Sequence, residues 1–416
     1  MSRFRRRLMG LTKLREAKRK DFVRVEYIEN TNTAYIDTNV KGSDNISLQL
    51  KYIFKKNSED TNSGFMFGSR VAINDRQYGI INSYTSQFRF GNNVSLTDYI
   101  TNEDILVTLD NTEKHNELKI FDSSNNLLHT LTTTNNSFSN NLNLYIFGIN
   151  NNGSLIAFSD TTKLYSCKIY DGTTLIRDYI PMYQISTDTY GLWDRVTKEF
   201  YTSPNGVEFT GGARVVEDAN GKLYYIKNYI SFAGSGKSLV SIGLKPNETD
   251  YYETKWYFAG SGRSNFMGAR TKNNNNDYQC YGYSKAIHIV YGTGALVNYS
   301  VTYTNKAYIF KTYFNKKTNQ MYGAIYDANK KILAQNKVAK RSGTPTLEFF
   351  IGKQNGLNNY YPPVNSRMYY FKYWRNHNLV RDMIPVQSVE TGEYGFFDKV
   401  NLKIYYSSGS ADFTGA

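Results

Sequence analysis

The sequence predicts an all-β protein: two tandem antiparallel β-sandwiches of jelly-roll type, preceded by a short basic N-terminal arm. Three observations carry this reading. The composition is that of short strands joined by polar turns, with 37 Tyr and 24 Phe against 7 Pro in 416 residues. Apolar residues alternate with period two, as in Ile46, Leu48, Leu50 and Leu142, Leu144, Ile146. Finally, the body repeats itself at an offset of 204 residues, a period too long for a solenoid unit and right for a complete domain.

The arm comes first, at residues 1–21. Residues 1–20 hold nine basic side chains, Arg3, Arg5, Arg6, Arg7, Lys13, Arg15, Lys18, Arg19 and Lys20, against the single acid Glu16. On a helix, Phe4, Leu8, Leu11 and Leu14 form one apolar stripe flanked by guanidinium and ammonium groups. Arg3, Phe4, Arg5, Arg6, Arg7, Leu8, Leu11, Lys13, Leu14 and Arg15 are therefore the expected partner-docking residues. Lys13 interrupts the short apolar stretch that begins at Leu8, so a secretory signal is not expected. The net charge of the whole chain is +14, and what the arm leaves over is spread through nearly 400 residues. That remainder reads as too dilute for a basic binding face, which makes nucleic acid a disfavoured partner.

The duplication sets the remaining boundaries: a first sandwich at 22–213, a linker at 214–221 and a second sandwich at 222–416. Arg177, Asp178 and Pro181 match Arg381, Asp382 and Pro385, while Tyr190, Gly191, Asp194 and Val196 match Tyr394, Gly395, Asp398 and Val400. Lys51 matches Lys255, Lys168 matches Lys372, and Phe209-Thr210-Gly211 matches Phe413-Thr414-Gly415. Turn signals at Asn152-Gly153, Asp171-Gly172, Asn205-Gly206 and Asn355-Gly356 separate the strands. The 214–221 stretch is charged and poorly periodic, which suits a connection between copies.

The segments Glu26-Tyr27-Ile28-Glu29, Tyr35-Ile36-Asp37-Thr38, Phe67-Gly68-Ser69-Arg70, Arg177-Asp178-Tyr179-Ile180-Pro181 and Gly191-Leu192-Trp193-Asp194 occur in an order that resembles the concanavalin A-like, laminin G-type sandwiches of tailed-phage virion proteins. The opening Met1 to Met9 is similar to the start of such proteins in phages of gut Bacteroidales, including crAss-like phages. The resemblance implies a virion protein made in the bacterial cytoplasm. Its motifs specify fold better than function.

Residues that invite a chemical role have plainer readings. Asp194 and Asp398 are expected to accept backbone N–H bonds at tight turns, with Gly191 and Gly395 supplying unusual backbone angles. Calcium would require several carboxylates converging, and no such cluster is visible. Glu248, Asp250 and Glu253 fit the E-x-D-x-x-E spacing that resembles the catalytic strand of glucanases with this fold, but Glu253 has the opposite strand parity. Cys167 aligns with Phe371 and reads as a core residue; Cys280 lies in a tyrosine-rich strand. His115, His129, His288 and His377 occupy no corresponding positions in the two copies. The Asn273 to Asn276 run beside Tyr278, Tyr281 and Tyr283 reads as a solvated loop that could also contact sugar.

No catalytic residue, metal site, cofactor or membrane partner is expected. The leading expectation is a non-enzymatic virion structural protein, such as a head fibre or capsid decoration, anchored to other virion proteins by its arm. The alternative is an adhesin binding host or mucus glycan through the sandwiches, and the two roles are compatible in one chain. A glycan hydrolase is the third reading. Oligomerisation would strengthen docking, because each bound arm raises the effective concentration of the next.

Overall fold

The computed structural model describes residues 21–416 apart from 32, 55–63, 74, 83–84, 99–105, 135–136, 158–161, 234–237, 260–263, 271–276, 284–285, 293, 301–304, 341–344, 346, 353, 356–361, 363–364 and 410. The arm, with every docking residue from Arg3 to Arg15, lies outside the described residues, as does the Asn273 to Asn276 run. What is described is all strand and turn, with no helix, and it divides into two compact units between Val215 and Val216. Each unit is an antiparallel sandwich.

In the first unit the larger sheet is built on Ile46–Phe54, Thr162–Asp171 and Thr174–Gln184, and the smaller on Gly64–Arg70, Gln77–Asn82 and Thr85–Gly91. In the second unit the same places are taken by Tyr251–Phe258, Arg367–Arg375 and Asn378–Ser388, and by Ser264–Arg270, Asp277–Tyr283 and Ala286–Gly292. Even the exception to antiparallel order is duplicated: a two-residue parallel pairing joins Ser69 and Arg70 to Asn150 and Asn151, and another joins Gly268 and Ala269 to Gln354 and Asn355.

Period-two alternation makes the cores. Leu48, Leu50 and Tyr52 point inward in the first unit, Tyr252, Thr254 and Trp256 in the second, and all six are buried. Each unit closes a separate apolar cluster, one running from Val25 to Phe209 and the other from Ile230 to Phe413. The core is unusually aromatic in the second unit, where Phe232, Trp256, Phe258, Phe266 and Phe310 contact one another in chains of tilted and stacked rings. Cys167 and Phe371 occupy matching core positions, and Cys280 is likewise buried; burial pushes both thiols well above their ordinary range.

Two expectations need correction. The 214–221 segment is not an unstructured connection: Val215–Glu217 is a strand at the edge of the second unit's larger sheet. Val216 packs against the cluster of Tyr224, Val386 and Phe397, while Asp218 closes the following turn by accepting the N–H groups of Asn220 and Lys222. Two valines and a glutamate are enough for an edge strand, below the length at which period two is recognisable. Gly191 and Gly395, in turn, do not adopt positive φ. They are needed because the Tyr201 carbonyl oxygen would lie 2.3 Å from a Cβ at 191, and the Tyr405 carbonyl oxygen 3.0 Å from one at 395. Among the glycines that do have positive φ are Gly68 and Gly268, at 147° and 148°, where the Tyr78 and Tyr278 carbonyls would also meet a side chain.

Because the two cores are separate, residues 21–215 and 216–416 expressed as individual chains are expected each to unfold in one cooperative thermal transition. Calorimetry that found either fragment without a transition would show that its core is incomplete alone.

Candidate functional site

The recurring Arg-Asp residues form a structural corner in each unit. Asp194 is fully buried; its Oδ1 accepts the N–H of Asp178 at 2.9 Å and that of Val196 at 2.9 Å, and its Oδ2 lies 3.6 Å from Arg177 Nε. Asp398 repeats this with Asp382 at 3.0 Å, Val400 at 3.1 Å and Arg381 at 3.6 Å. Arg177 Nε donates to the Thr38 carbonyl, and Arg381 donates to the Ile242 carbonyl. A second ion pair sits outside each corner, Arg195 with Asp178 at 2.8 Å and Lys399 with Asp382 at 3.1 Å. These groups satisfy one another except at Asp382 Oδ1, which is buried without a hydrogen-bond partner.

The three acids of the E-x-D-x-x-E pattern are dispersed to different cations. Asp250 is buried and is held by Arg375 at 2.9 Å, the Tyr373 hydroxyl at 2.8 Å and the Asn247 N–H at 3.0 Å. Glu248 pairs with Lys340 at 2.7 Å. Glu253 faces the opposite side of its strand from the buried Tyr252 and Thr254, where Lys311 approaches to 3.0 Å and the Tyr370 hydroxyl donates at 3.0 Å. Asp37 accepts the Asn39 N–H and the Asn143 amide, a local loop role. Of the histidines, His115 bonds the Asp44 carbonyl, His288 stacks on Tyr281 with its pKa lowered by burial, and His377 reaches the Tyr251 hydroxyl at 3.3 Å. Tyr278 is buried against Tyr291 and presents no face to solvent.

The site worth weighing is one the sequence reading passed over. Lys306–Asn315, Gln320–Asp327 and Ile332–Ala339 pair in succession and end the larger sheet of the second unit. Phe310, Phe314, Met321 and Ile325 point into the core, so by alternation Lys311, Tyr313, Tyr322, Ala324 and Tyr326 lie on the outer face. There Lys311, Ala324 and Gln335 stand in one row across the three strands, and Tyr313, Tyr322 and Lys337 in the next. Small Ala324 between Tyr322 and Tyr326 leaves an open groove of about 530 Å³, lined also by Thr312, Gly323 and Asn336. This volume lies within the range of small-ligand sites.

At the Tyr313 end the groove abuts an aromatic cluster. Tyr251 stacks on Trp374 at 5.3 Å with planes 14° apart, and Tyr313 packs edge-on against both Tyr251 at 5.4 Å and His377 at 6.0 Å. Tyr313 remains 43% exposed, large for an aromatic ring held on two sides.

The described residues of the first unit fill this face differently. By strand register its equivalents of Glu253, Lys311 and Ala324 are Gln49, Asp110 and Lys119. Gln49 bonds Asp110 at 2.9 Å, and Lys119 fills the place of the groove while pairing with Glu113. Ser47 and Tyr170 stand where the second unit has Tyr251 and Trp374. The groove is a property of one copy.

No family model matches the chain, and no curated protein matches it. Among solved structures, the mouse laminin alpha1 chain, domains LG4-5, aligns with 89% of this chain and 92% of its own length, at 11% identity and a TM-score of 0.29. The LG1-3 region of the laminin alpha2 chain aligns with 83% of this chain and 64% of its own length, again at 11% identity and a TM-score of 0.29. The assignment of tandem sandwiches rests on the strand pairing described above.

Removing a buried carboxylate at a corner strands its arginine and two backbone donors. Asp398→Ala is accordingly expected to destabilise residues 216–416 by about 3 kcal/mol or more, and Asp194→Ala to do the same for residues 21–215. Urea denaturation of each fragment measures this, and a loss below about 1 kcal/mol would mean that water replaces the corner at little cost.

Proposed function

We propose that the chain is a non-enzymatic display protein of a phage particle, docked through its basic arm, and that its second sandwich binds glycan in the groove of the outer sheet face. The observation that carries the glycan part is the groove's asymmetry between copies. A duplicated frame has kept its corners and core positions, yet on one face of one copy Tyr322 and Ala324 stand at the register positions of Glu117 and Lys119, with Tyr313, Tyr326, Tyr251 and Trp374 around them. Tyr313 is exposed and Tyr322 and Tyr326 are half-buried on the side of the sheet turned away from the core, so core packing does not account for these three rings.

The chemistry suits a sugar. Tyrosine rings offer flat apolar surface to the C–H face of a pyranose, while their hydroxyls, the Gln335 amide and the lysines offer hydrogen bonds to its rim. The dispersal of Glu248, Asp250 and Glu253 to separate cations supports binding without cleavage, since retaining hydrolysis needs two carboxyls about 5 Å apart in one cleft.

The virion part is supported by the arm, whose nine basic residues and apolar stripe are suited to an acidic, partly apolar partner surface. The first described residues, next to the arm in sequence, are held in place. Phe22 lies 5.0 Å from both Trp193 and Phe200, and Asp21 accepts hydrogen bonds from Ser186 and Gln184, which hold its pKa below the usual value.

Two outcomes are expected. In glycan-array and calorimetric binding assays, Tyr322→Ala lowers affinity roughly tenfold, and Ala324→Lys, which installs the residue of the first unit, removes binding while leaving the melting transition in place. Wild-type affinity in Ala324→Lys would disprove the groove. In co-assembly with particle components, a chain beginning at Phe22 fails to incorporate and Leu8→Asp with Leu11→Asp incorporates poorly; normal occupancy of the truncated chain would move the docking surface to the sandwiches.

A further inference from the structure

The charge of the body is not dilute. Residues 306–340 contain eight lysines and one acid, Asp327, so these three strands and their turns hold more than the whole positive excess left after the arm. The structure places that charge around the groove. Lys311 and Lys337 lie on its lining, Lys316 and Lys317 occupy the turn at the Tyr313 end, and Lys330 and Lys331 the turn at the Tyr326 end. Lys311 is engaged by Glu253, whereas Lys337 forms no ion pair among the described residues and stands directly across from Tyr322.

We propose that the ligand of this groove is an acidic polysaccharide, a chain of uronic-acid or sulfated sugars, whose rings lie on Tyr322 and Tyr326 and whose anionic groups meet Lys337 and the lysines at the two mouths. The inference rests on the glycan reading above and adds the charge of the ligand. A ring of exposed ammonium groups that outnumber the carboxylates Glu253 and Asp327 among them raises the local concentration of a polyanion, and each exposed lysine does so over the screening length of the medium, about 8 Å at physiological salt.

Single-stranded nucleic acid is the competing polyanion, since it too would stack on tyrosine. The groove's acceptors decide against it. The Glu253 carboxylate borders the lining at Lys311, and the Gln335 side-chain oxygen sits in the central row. Every unit of a polysaccharide carries hydroxyl donors for such groups, whereas a DNA backbone offers none and only its bases donate.

The test uses the full chain and probes that differ in charge alone: polygalacturonate against its fully methyl-esterified form, with alginate and chondroitin sulfate as further polyanions and a twenty-nucleotide oligo-dT as the competitor. The expected result is binding of at least one acidic polysaccharide, with any preference for polygalacturonate over its ester at least tenfold. Binding should weaken as salt rises, fall severalfold in Lys337→Gln, and vanish in Ala324→Lys although that variant adds a positive charge. Equal binding of acid and ester would overturn the inference and leave the glycan reading standing. Tighter binding of oligo-dT than of every polysaccharide would overturn it in favour of nucleic acid. Persistence of binding in Ala324→Lys would reduce it to unspecific charge attraction, and binding of neither acidic nor neutral glycan would remove both readings.

Discussion

Both sandwiches hang on a carboxylate that no solvent reaches. Asp194 and Asp398 each tie three elements together, accepting N–H bonds from the preceding strand and from their own turn while sitting beside an arginine that reaches across to a carbonyl of the opposite layer. Burying such an ion is costly unless every lone pair is met, so the geometry tolerates little drift. That explains why these residues, rather than the apolar ones around them, survive recognisably in both copies. Leucine can become tyrosine and tyrosine tryptophan in a core that rearranges, as Leu48 and Tyr52 against Tyr252 and Trp256 illustrate. A saturated ionic corner has no such freedom.

With the frame fixed in this way, the outer face of the larger sheet is released from structural duty. The inner face must match the other layer, but the outer one answers only to solubility and to whatever touches it. The copies differ there in kind. The first unit fills the face with interlocked polar side chains, Gln49 to Asp110 and Lys119 to Glu113, and the second opens it around Ala324. Duplication followed by specialisation of one exposed surface is a route to new binding that leaves stability nearly untouched.

The architecture was readable in the sequence because period-two burial and a repeat at constant offset are both properties of the linear chain: Leu48, Cys167 and Trp256 fall where alternation puts them. The corners were readable too, as recurring Arg-Asp and Asp-x-Val residues. The groove was not, for a physical reason. Its lining comes from three strands joined by register, and the relation of Ala324 to Lys311 and Gln335 exists only once the ladder forms. One signal was nevertheless present: averaging charge over the whole body hid eight lysines within 35 residues, which a local window would have found. The left-handed turns also account for the asparagine content, since Asn39, Asn125, Asn141, Asn152, Asn305, Asn319, Asn365 and Asn376 all sit at positive φ, a conformation asparagine adopts at less cost than other side chains.

The third wall of the groove, Ile332–Ala339, is also the free edge of its sheet, with Ile332 48% exposed and one row of backbone groups unpaired. Such an edge invites another strand, and lysine is the residue that most often prevents it. Lys330, Lys331 and Lys337 therefore keep neighbouring molecules from zipping together whatever else they do. That repulsion keeps each copy a separate module at high concentration, and it acts whether the groove is filled or empty.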